Sequence, residues 1–431
     1  MRRITIALLA IFSAASLSAQ QNAPQPIALD EAVRLARRNA PLAVQALGQV
    51  RNARAATTTA LSAFLPRVSL NAGVGKSDGA VFRQGAFDSY TGWSQGRGYG
   101  ASMLVFDAGQ RWFGYRAAAT TLEAARENEV AQAFGIGLQV KQQYFAALAA
   151  RESQAAAERQ FEQAEQQMLT STTRVQIGAV ARTDSLRSAI TVSNARIAML
   201  NAQTALDDAN VALTRLVGAP FDVTAMPSDT GAVPAITEPR EALVAMLADG
   251  PGIRAAEAQL AAAKMSRRSA KTSYLPTIFA SYNFGLSRAS EKFEWGDGPG
   301  NHNTSLNFSA SWTVFNNWQR EQQMVAATVQ EDVAEASLRD AKAGARQNLL
   351  QYLGAFRNAE ESVRLQALQV AVAAEDLDAQ QQRYAAGAAG IVDLLTAQTT
   401  LANARTALIN ARFTAKTAKA QIEGVVGKEL K

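Results

Sequence analysis

The sequence predicts a mainly α-helical chain that carries a transmembrane β portion and is built from two copies of one unit. Three observations carry that prediction. The 431 residues repeat themselves at a spacing of about 210. Residues 110–177 and 319–386 contain no proline and keep apolar residues at three- and four-residue spacing, the pattern of long helices. Between these helical stretches lie paired segments that alternate apolar with polar or small residues, the pattern of strands with one apolar face.

The repeat is explicit. Leu29–Gly75 opens LDEAVRLARRNAPLAVQA and closes SAFLPRVSLNAGVG; Pro239–Gly285 opens PREALVAMLADGPGIRAA and closes KTSYLPTIFASYNFG. The two align without a gap, so that Glu31 matches Glu241, Pro41 matches Pro251 and Leu65-Pro66 matches Leu275-Pro276. Val105-Phe106 pairs with Val314-Phe315, Gly178 with Gly387, Asp184 with Asp393, and Val217-Gly218 with Val426-Gly427. A duplicated unit restricts the architecture to two linked copies of one helix-and-strand arrangement. The expected organisation is an export signal over 1–19, a first repeat over 20–217, a connection over 218–239 and a second repeat over 240–431.

Taken in order, Arg2 and Arg3 precede an apolar run from Ile4 to Leu17, and the small residues Ser18 and Ala19 follow, as in a cleavable export signal. The run is shorter than the roughly 20 residues a membrane anchor needs. Residues 29–64 read as one helix, with Asp30 and Glu31 at the start where the helix dipole favours negative charge. Pro66 ends that helix. A strand is expected over about 66–77, with Val68, Leu70, Ala72 and Val74 on one face and Arg67, Ser69, Asn71 and Gly73 on the other. A Gly- and aromatic-rich loop is expected through Gly98, then a strand over about 98–107, with Asp107-Ala108-Gly109 turning the chain into the next helix. Residues 110–177 span on the order of 100 Å as a helix, and 182–217 return from it. The connection 218–239 is rich in Pro, Gly and Asp. The second copy repeats the plan after Pro276, with strands over about 276–287 and 304–315 and helices over 240–274, 319–386 and 391–427. Each copy is thus read as one long helix beside two shorter ones stacked end to end.

Strands of roughly ten residues with one apolar face suit an outer-membrane barrel, and so do aromatic residues near strand ends, here Phe82, Tyr99, Trp112, Trp295, Trp312 and Trp318. One chain supplies four strands, whereas membrane barrels begin at about eight. Open strand edges do not persist in lipid. The barrel must therefore be shared: two chains give eight strands and a filled interior, three give twelve and a lumen. A homotrimer is the solution that leaves a passage, with the helices continuing as a tube.

These features together resemble the TolC family of outer-membrane efflux and secretion channels. The resemblance spans the mature chain and rests on the duplication, on the helix–strand junctions at Pro66 and Pro276, on Val105-Phe106 and Val314-Phe315, and on the helix turns RVQIGAVARTDSL (Arg174–Leu186) and RYAAGAAGIVDLL (Arg383–Leu395). It implies a trimer with a twelve-stranded barrel in outer-membrane lipid and a long antiparallel helical tunnel in the periplasm. It also implies a periplasmic membrane-fusion adaptor that links the channel to an inner-membrane pump of RND or ABC type. The function implied is the exit duct of a tripartite efflux or type I secretion system.

The same resemblance puts the entrance at the two helix turns. Asp184 and Asp393 lie in the first turns of the returning helices, where a capping or dipole role is the simplest reading; in the family, acidic residues here line a constricted mouth. A Tyr, an Asp and an Arg hold that mouth shut, and Tyr384 and Asp184 match two of them. Ala389 stands where the Arg is expected and Thr396 where a second acid is expected, with Arg182 and Arg383 the nearest substitutes. The exposed turns, carrying Gly178, Ala179 and Val180 in the first copy and Gly387, Ala388, Ala389 and Gly390 in the second, are candidates for adaptor docking, since loops on a rigid scaffold often carry function.

Composition argues against other classes. The formal charge of +6 includes Arg2 and Arg3, and basic residues are interleaved with acidic ones, so no nucleic-acid footprint appears. The chain has no cysteine and a single histidine, His302, which together with Asp297 lies in the polar loop EWGDGPGNHNT. This leaves no disulfide, no lipid-attachment cysteine and little for a metal site. No nucleophile–base constellation points to an enzyme, and no cofactor is expected. The competing class is an exported coiled-coil scaffold without a pore.

Overall fold

The computed structural model describes residues 24–227, 235–293 and 300–430. The expected export signal and the loop residues Trp295 and Asp297 lie outside these. The described elements run β1 (Gln25–Ile27), α1 (Leu29–Asn39), α2 (Pro41–Ser62), β2 (Arg67–Arg83), β3 (Ala86–Phe106), α3 (Gln110–Gln176), α4 (Arg182–Val217), β4 (Val223–Ala225), α5 (Arg240–Met246), α6 (Pro251–Lys271), β5 (Thr277–Ser290), β6 (Asn301–Ser311), α7 (Gln319–Ala385) and α8 (Ile391–Val426). The duplication is metrical: α3 and α7 each have 67 residues, α4 and α8 each have 36.

Two expectations change. Residues 29–64 form two helices, not one, because Pro41 forbids its predecessor the helical conformation. Ala40 accordingly sits at φ −61°, ψ 138°. Gly250 before Pro251 repeats this at φ −60°, ψ 139°, breaking 240–274 in the same place. The loop expected over 78–98 is instead strand. β2 and β3 pair without interruption from Arg67↔Ser102 to Arg83↔Ala86, around a two-residue turn in which Gln84 (φ 50°) and Gly85 (φ 89°) are both left-handed. This is the type I′ geometry whose twist matches paired strands.

The chain divides into two compact units, and each repeat contributes to both. The first unit comprises residues up to Val44, Gln132–Leu243 and Asn348–Lys431. Its core gathers Ala32 and Ala36 of α1, Val140, Tyr144 and Leu148 of α3, Leu213 and Val217 of α4, and Val223 of β4. The connection between repeats is anchored here, since β4 pairs in parallel with β1 (Gln25↔Val223 to Ile27↔Ala225). Tyr144 ties the pair down: its buried hydroxyl donates to the Ile27 carbonyl at 2.9 Å and accepts from the Met226 N–H at 3.0 Å.

The second unit comprises Gln45–Ala131 and Val244–Gln347. It holds an antiparallel sheet in the order β2-β3-β5-β6. No helix among the described residues is long and apolar enough to cross a membrane.

Candidate functional site

The strand register sorts side chains onto two faces. Directly opposed residues share a face. One face carries the rows Val68–Ala101–Tyr282–Leu306 and Leu70–Tyr99–Phe284–Thr304. The other carries Ser69–Gly100–Asn283–Ser305 and Asn71–Gly98–Gly285–Asn303. Over these rows the first face is apolar and uncovered, with Leu70 84% exposed, Phe308 70% and Val68 69%, while farther along the strands it carries Gln95, Arg97 and Arg288. Tyr99 stacks on Phe284 with ring centroids 5.1 Å apart. The polar face is small, and Gly73, Gly75, Gly79, Gly92, Gly96, Gly98 and Gly100 all project onto it. Glycine here marks one face of a strand and not a loop.

Among the described residues both edges of the sheet are open, since β2 and β6 each pair on one side only. An apolar sheet face left bare, with two open edges, is a liability in water. Facing lipid and completed by further strands, it is ordinary. Large aromatics sit at the strand ends next to the helices, with Trp112, Trp312 and Trp318 all exposed. His302 lies within β6, in register with Leu286.

Pro66 and Pro276 lie between helix and strand as the chain enters the sheet. Where it leaves, an arginine in each repeat binds the junction together. Asp107 accepts from Gly109 N–H (3.2 Å), Arg111 N–H (2.8 Å) and Arg111 Nε (2.7 Å), while Arg111 stacks over Phe64 at 5.1 Å. In the second copy Asn316 takes the place of Asp107. Arg320 donates to the carbonyls of Thr313 and Val314, both at 2.7 Å, and lies over Tyr274 at 4.9 Å. Sequence reasoning missed both arginines; their equal placement in the two repeats was the available signal.

Burial would raise the Asp107 carboxyl, but the hydrogen bonds from Arg111 and Gly109 and the Arg111 charge outweigh it and hold the pKa below the ordinary 3.8. A depressed carboxylate contributes stability that is present above its unfolded pKa and lost as pH falls through the folded value. Acidification below about pH 3.8 should therefore loosen this junction. Asp107→Asn should cost on the order of 1.5–3 kcal/mol at neutral pH and flatten that acid limb, read by thermal unfolding across pH. An unchanged acid limb in the variant would contradict this.

The helix turns are built alike. α3 ends in a left-handed Gly178 (φ 71°), with Gly178 N–H on the Val175 carbonyl (3.0 Å) and Ala179 N–H on that of Arg174 (2.8 Å). α7 ends with Gly387 (φ 72°), Gly387 N–H on Tyr384 (3.2 Å) and Ala388 N–H on Arg383 (2.8 Å). Both are the paired-bond termination that satisfies the last carbonyls. Val180 and Ala389 are half-buried, and the other turn residues are exposed. Asp393 is the third residue of α8 and its carboxylate accepts from the Gly390 N–H at 3.2 Å, capping the helix. Asp184 occupies the same place in α4 without a side-chain cap bond.

Tyr384 is 6% exposed and packs with Leu377, Ile391 and Leu394, yet its hydroxyl has no hydrogen-bond partner. Asp184 therefore does not meet it within one chain. Its partner is a residue that sequence reasoning passed over: Arg174 lies 4.9 Å over the Tyr384 ring and donates to the carbonyls of Tyr384 (3.0 Å) and Ala385 (2.8 Å). A cation at a helix C-terminus suits the dipole, and the whole contact is worth on the order of 2 kcal/mol. It joins the two helix turns of one chain.

With this geometry in hand, comparison with known proteins is decisive. The family described as outer membrane efflux protein matches residues 32–219 and again 242–428, once per repeat. The chain belongs to the outer membrane efflux protein family. Within it, the chain is similar to the pyoverdine export outer membrane protein OpmQ of Pseudomonas aeruginosa, with 24% identity over 85% of this chain and 78% of that one. Its fold is similar to the CmeC outer membrane channel of Campylobacter jejuni (TM-score 0.79, 18% identity, 94% of this chain and 86% of the other). It is also similar to the open state of the Neisseria gonorrhoeae MtrE outer membrane channel (TM-score 0.76, 21% identity, 94% and 89%). The chain is thus an outer-membrane efflux channel with a periplasmic helical part, and not an enzyme. Proteins of this family are trimeric channels that work with periplasmic adaptors and inner-membrane pumps. The scaffold without a pore is not supported.

Proposed function

We propose that three copies close their sheets into one twelve-stranded barrel, with the apolar rows against lipid and the Ser, Asn and Gly rows lining the lumen. The open-edged sheet with one bare apolar face carries this reading, because each edge needs a strand that the described residues do not supply. An exposed apolar stripe along α4 (Leu186, Ile190, Ile197 and Leu200) supports it, as a face for neighbouring helices. Substrates then pass without chemistry from adaptor and pump to the exterior.

At the periplasmic end, Asp393 and Asp184 supply rings of negative charge that favour cations, and the turns around Gly178 and Gly387 receive the adaptor. Purified protein in planar bilayers tests this. Asp393→Asn should lower cation preference while the helix cap survives, since asparagine also caps. Replacing both turns by Gly/Ser should abolish adaptor capture and leave conductance in place. Unchanged selectivity rejects the lining role; undiminished capture rejects the docking role.

A further inference from the structure

The apolar face of the sheet changes character away from the helices. On β5 it presents Ile278, Tyr282 and Phe284, and then Arg288. On β3 the same face runs through Ala101 and Tyr99 to Arg97, Gln95 and Trp93. Arg97 is in register with Leu286 and Gln95 with Arg288, so the two arginines are diagonal neighbours, about 7–8 Å apart at Cα. Lys76, in register with Trp93, lies one row farther on and pairs with Asp78 at 3.8 Å.

Strand geometry sets the level of the arginines. Arg288 lies ten residues beyond Ile278, the first large apolar residue of this face on β5. At about 3.4 Å per residue and a tilt of roughly 40°, that is about 26 Å along the membrane normal, the height of the apolar band of outer-membrane barrels. Aromatic rings mark both limits, as they do where lipid meets water. Trp312 follows β6 at the helix end and is exposed; one row beyond Arg288, Trp93 meets Phe293 edge-on at 5.1 Å. The helical part is periplasmic, so the far limit is the headgroup level of the outer leaflet. An arginine on a lipid face is costly at the midplane and well tolerated near this level.

An apolar face that ends in neighbouring guanidinium groups complements an amphiphile with acyl chains and a phosphorylated headgroup. Guanidinium binds phosphate through paired N–H···O bonds. Each arginine has five N–H donors, so its contact within the chain leaves others for a ligand. We propose that Arg97 and Arg288 hold the headgroup phosphate of an outer-leaflet lipid, whose acyl chains lie along the rows of Tyr99, Phe284 and Leu70. This rests on the reading of that face as lipid-facing.

Purified protein in detergent is offered lipid A, a diphosphorylated acyl glycolipid, and the same lipid stripped of its phosphates. Native mass spectrometry counts the lipid retained. The parent protein should retain the phosphorylated form at least about tenfold better, as charge-assisted hydrogen bonds allow. Arg97→Gln with Arg288→Gln should abolish that preference. Arg67→Gln, which removes a cation from the opposite face at the helix end, should preserve it. Equal retention of both lipids by the parent overturns the site, and so does a matching loss in Arg67→Gln. The lipid-facing reading is checked separately in outer-membrane vesicles, where the absence of native cysteine helps. Leu70→Cys should resist a water-soluble maleimide and Ser69→Cys should react. Ready labelling of Leu70→Cys overturns that reading and the site with it; protection of Leu70→Cys without a phosphate preference overturns the site alone.

Discussion

Gly98→Val will prevent assembly of the proposed barrel, whereas Gly96→Val on the same strand face will be tolerated. A Cβ built on Gly98 falls 2.4 Å from the Phe284 carbonyl oxygen and 3.3 Å from the Gly285 Cα, both backbone atoms of the neighbouring strand. Backbone cannot swing aside as a side chain can, so β3 and β5 must separate where they pair Gly98↔Gly285. A Cβ on Gly96 meets nothing within 4 Å. Valine favours strands, so intrinsic propensity works in the variant's favour and any failure is steric. Separation at this point breaks the join between the two repeats' hairpins, since among the described residues β3–β5 is the strand pair that links them in the sheet. The measurement is the yield of detergent-extracted, protease-resistant oligomer in the outer-membrane fraction. Equal yields for the two variants would refute the close-approach argument.

The second large effect is expected at Tyr144, which has 0% exposure and packs among Ile27, Leu148 and Leu213. Tyr144→Ala should cost about 3–5 kcal/mol, as removal of a buried aromatic ring does. Tyr144→Phe should cost only about 1 kcal/mol. The difference follows from the hydrogen bonds: with the hydroxyl gone, the Met226 N–H still donates to the Ile27 carbonyl at 3.1 Å. Denaturant unfolding separates the two variants. Parity between them would show that the hydroxyl, and not ring packing, holds β1 and β4 in place.

The parts of this architecture legible in the sequence are those written in side-chain identity. Equal spacing of Gly178 and Gly387, and of the proline-free runs before them, fixes helix lengths because a left-handed terminator is chemically distinctive. Alternation along 67–74 and 277–286 gives the two sheet faces for the same reason. Reading went astray where one residue type serves two purposes. The glycines of 78–98 read as a loop, yet Gly79, Gly92, Gly96 and Gly98 share one strand face. Pro41 aligns with Pro251, but the apolar periodicity runs on through it and hides the break at Ala40. The pairing of β1 with β4 left no trace, since three residues are too few for a period. Arg111, Arg320 and Arg174 were missed because each binds main-chain carbonyls, which every residue carries and no sequence pattern marks. The Tyr384–Asp184 contact expected from the family is absent within the chain, and the Tyr384 hydroxyl is left buried and unpaired.

All of this depends on the sheet being one third of a closed barrel. Native mass spectrometry of the mature protein, extracted in detergent, tests that most directly. The account predicts a single species of three chains that releases monomers only on denaturation. A stable, folded monomer, or an even-numbered assembly, would contradict it.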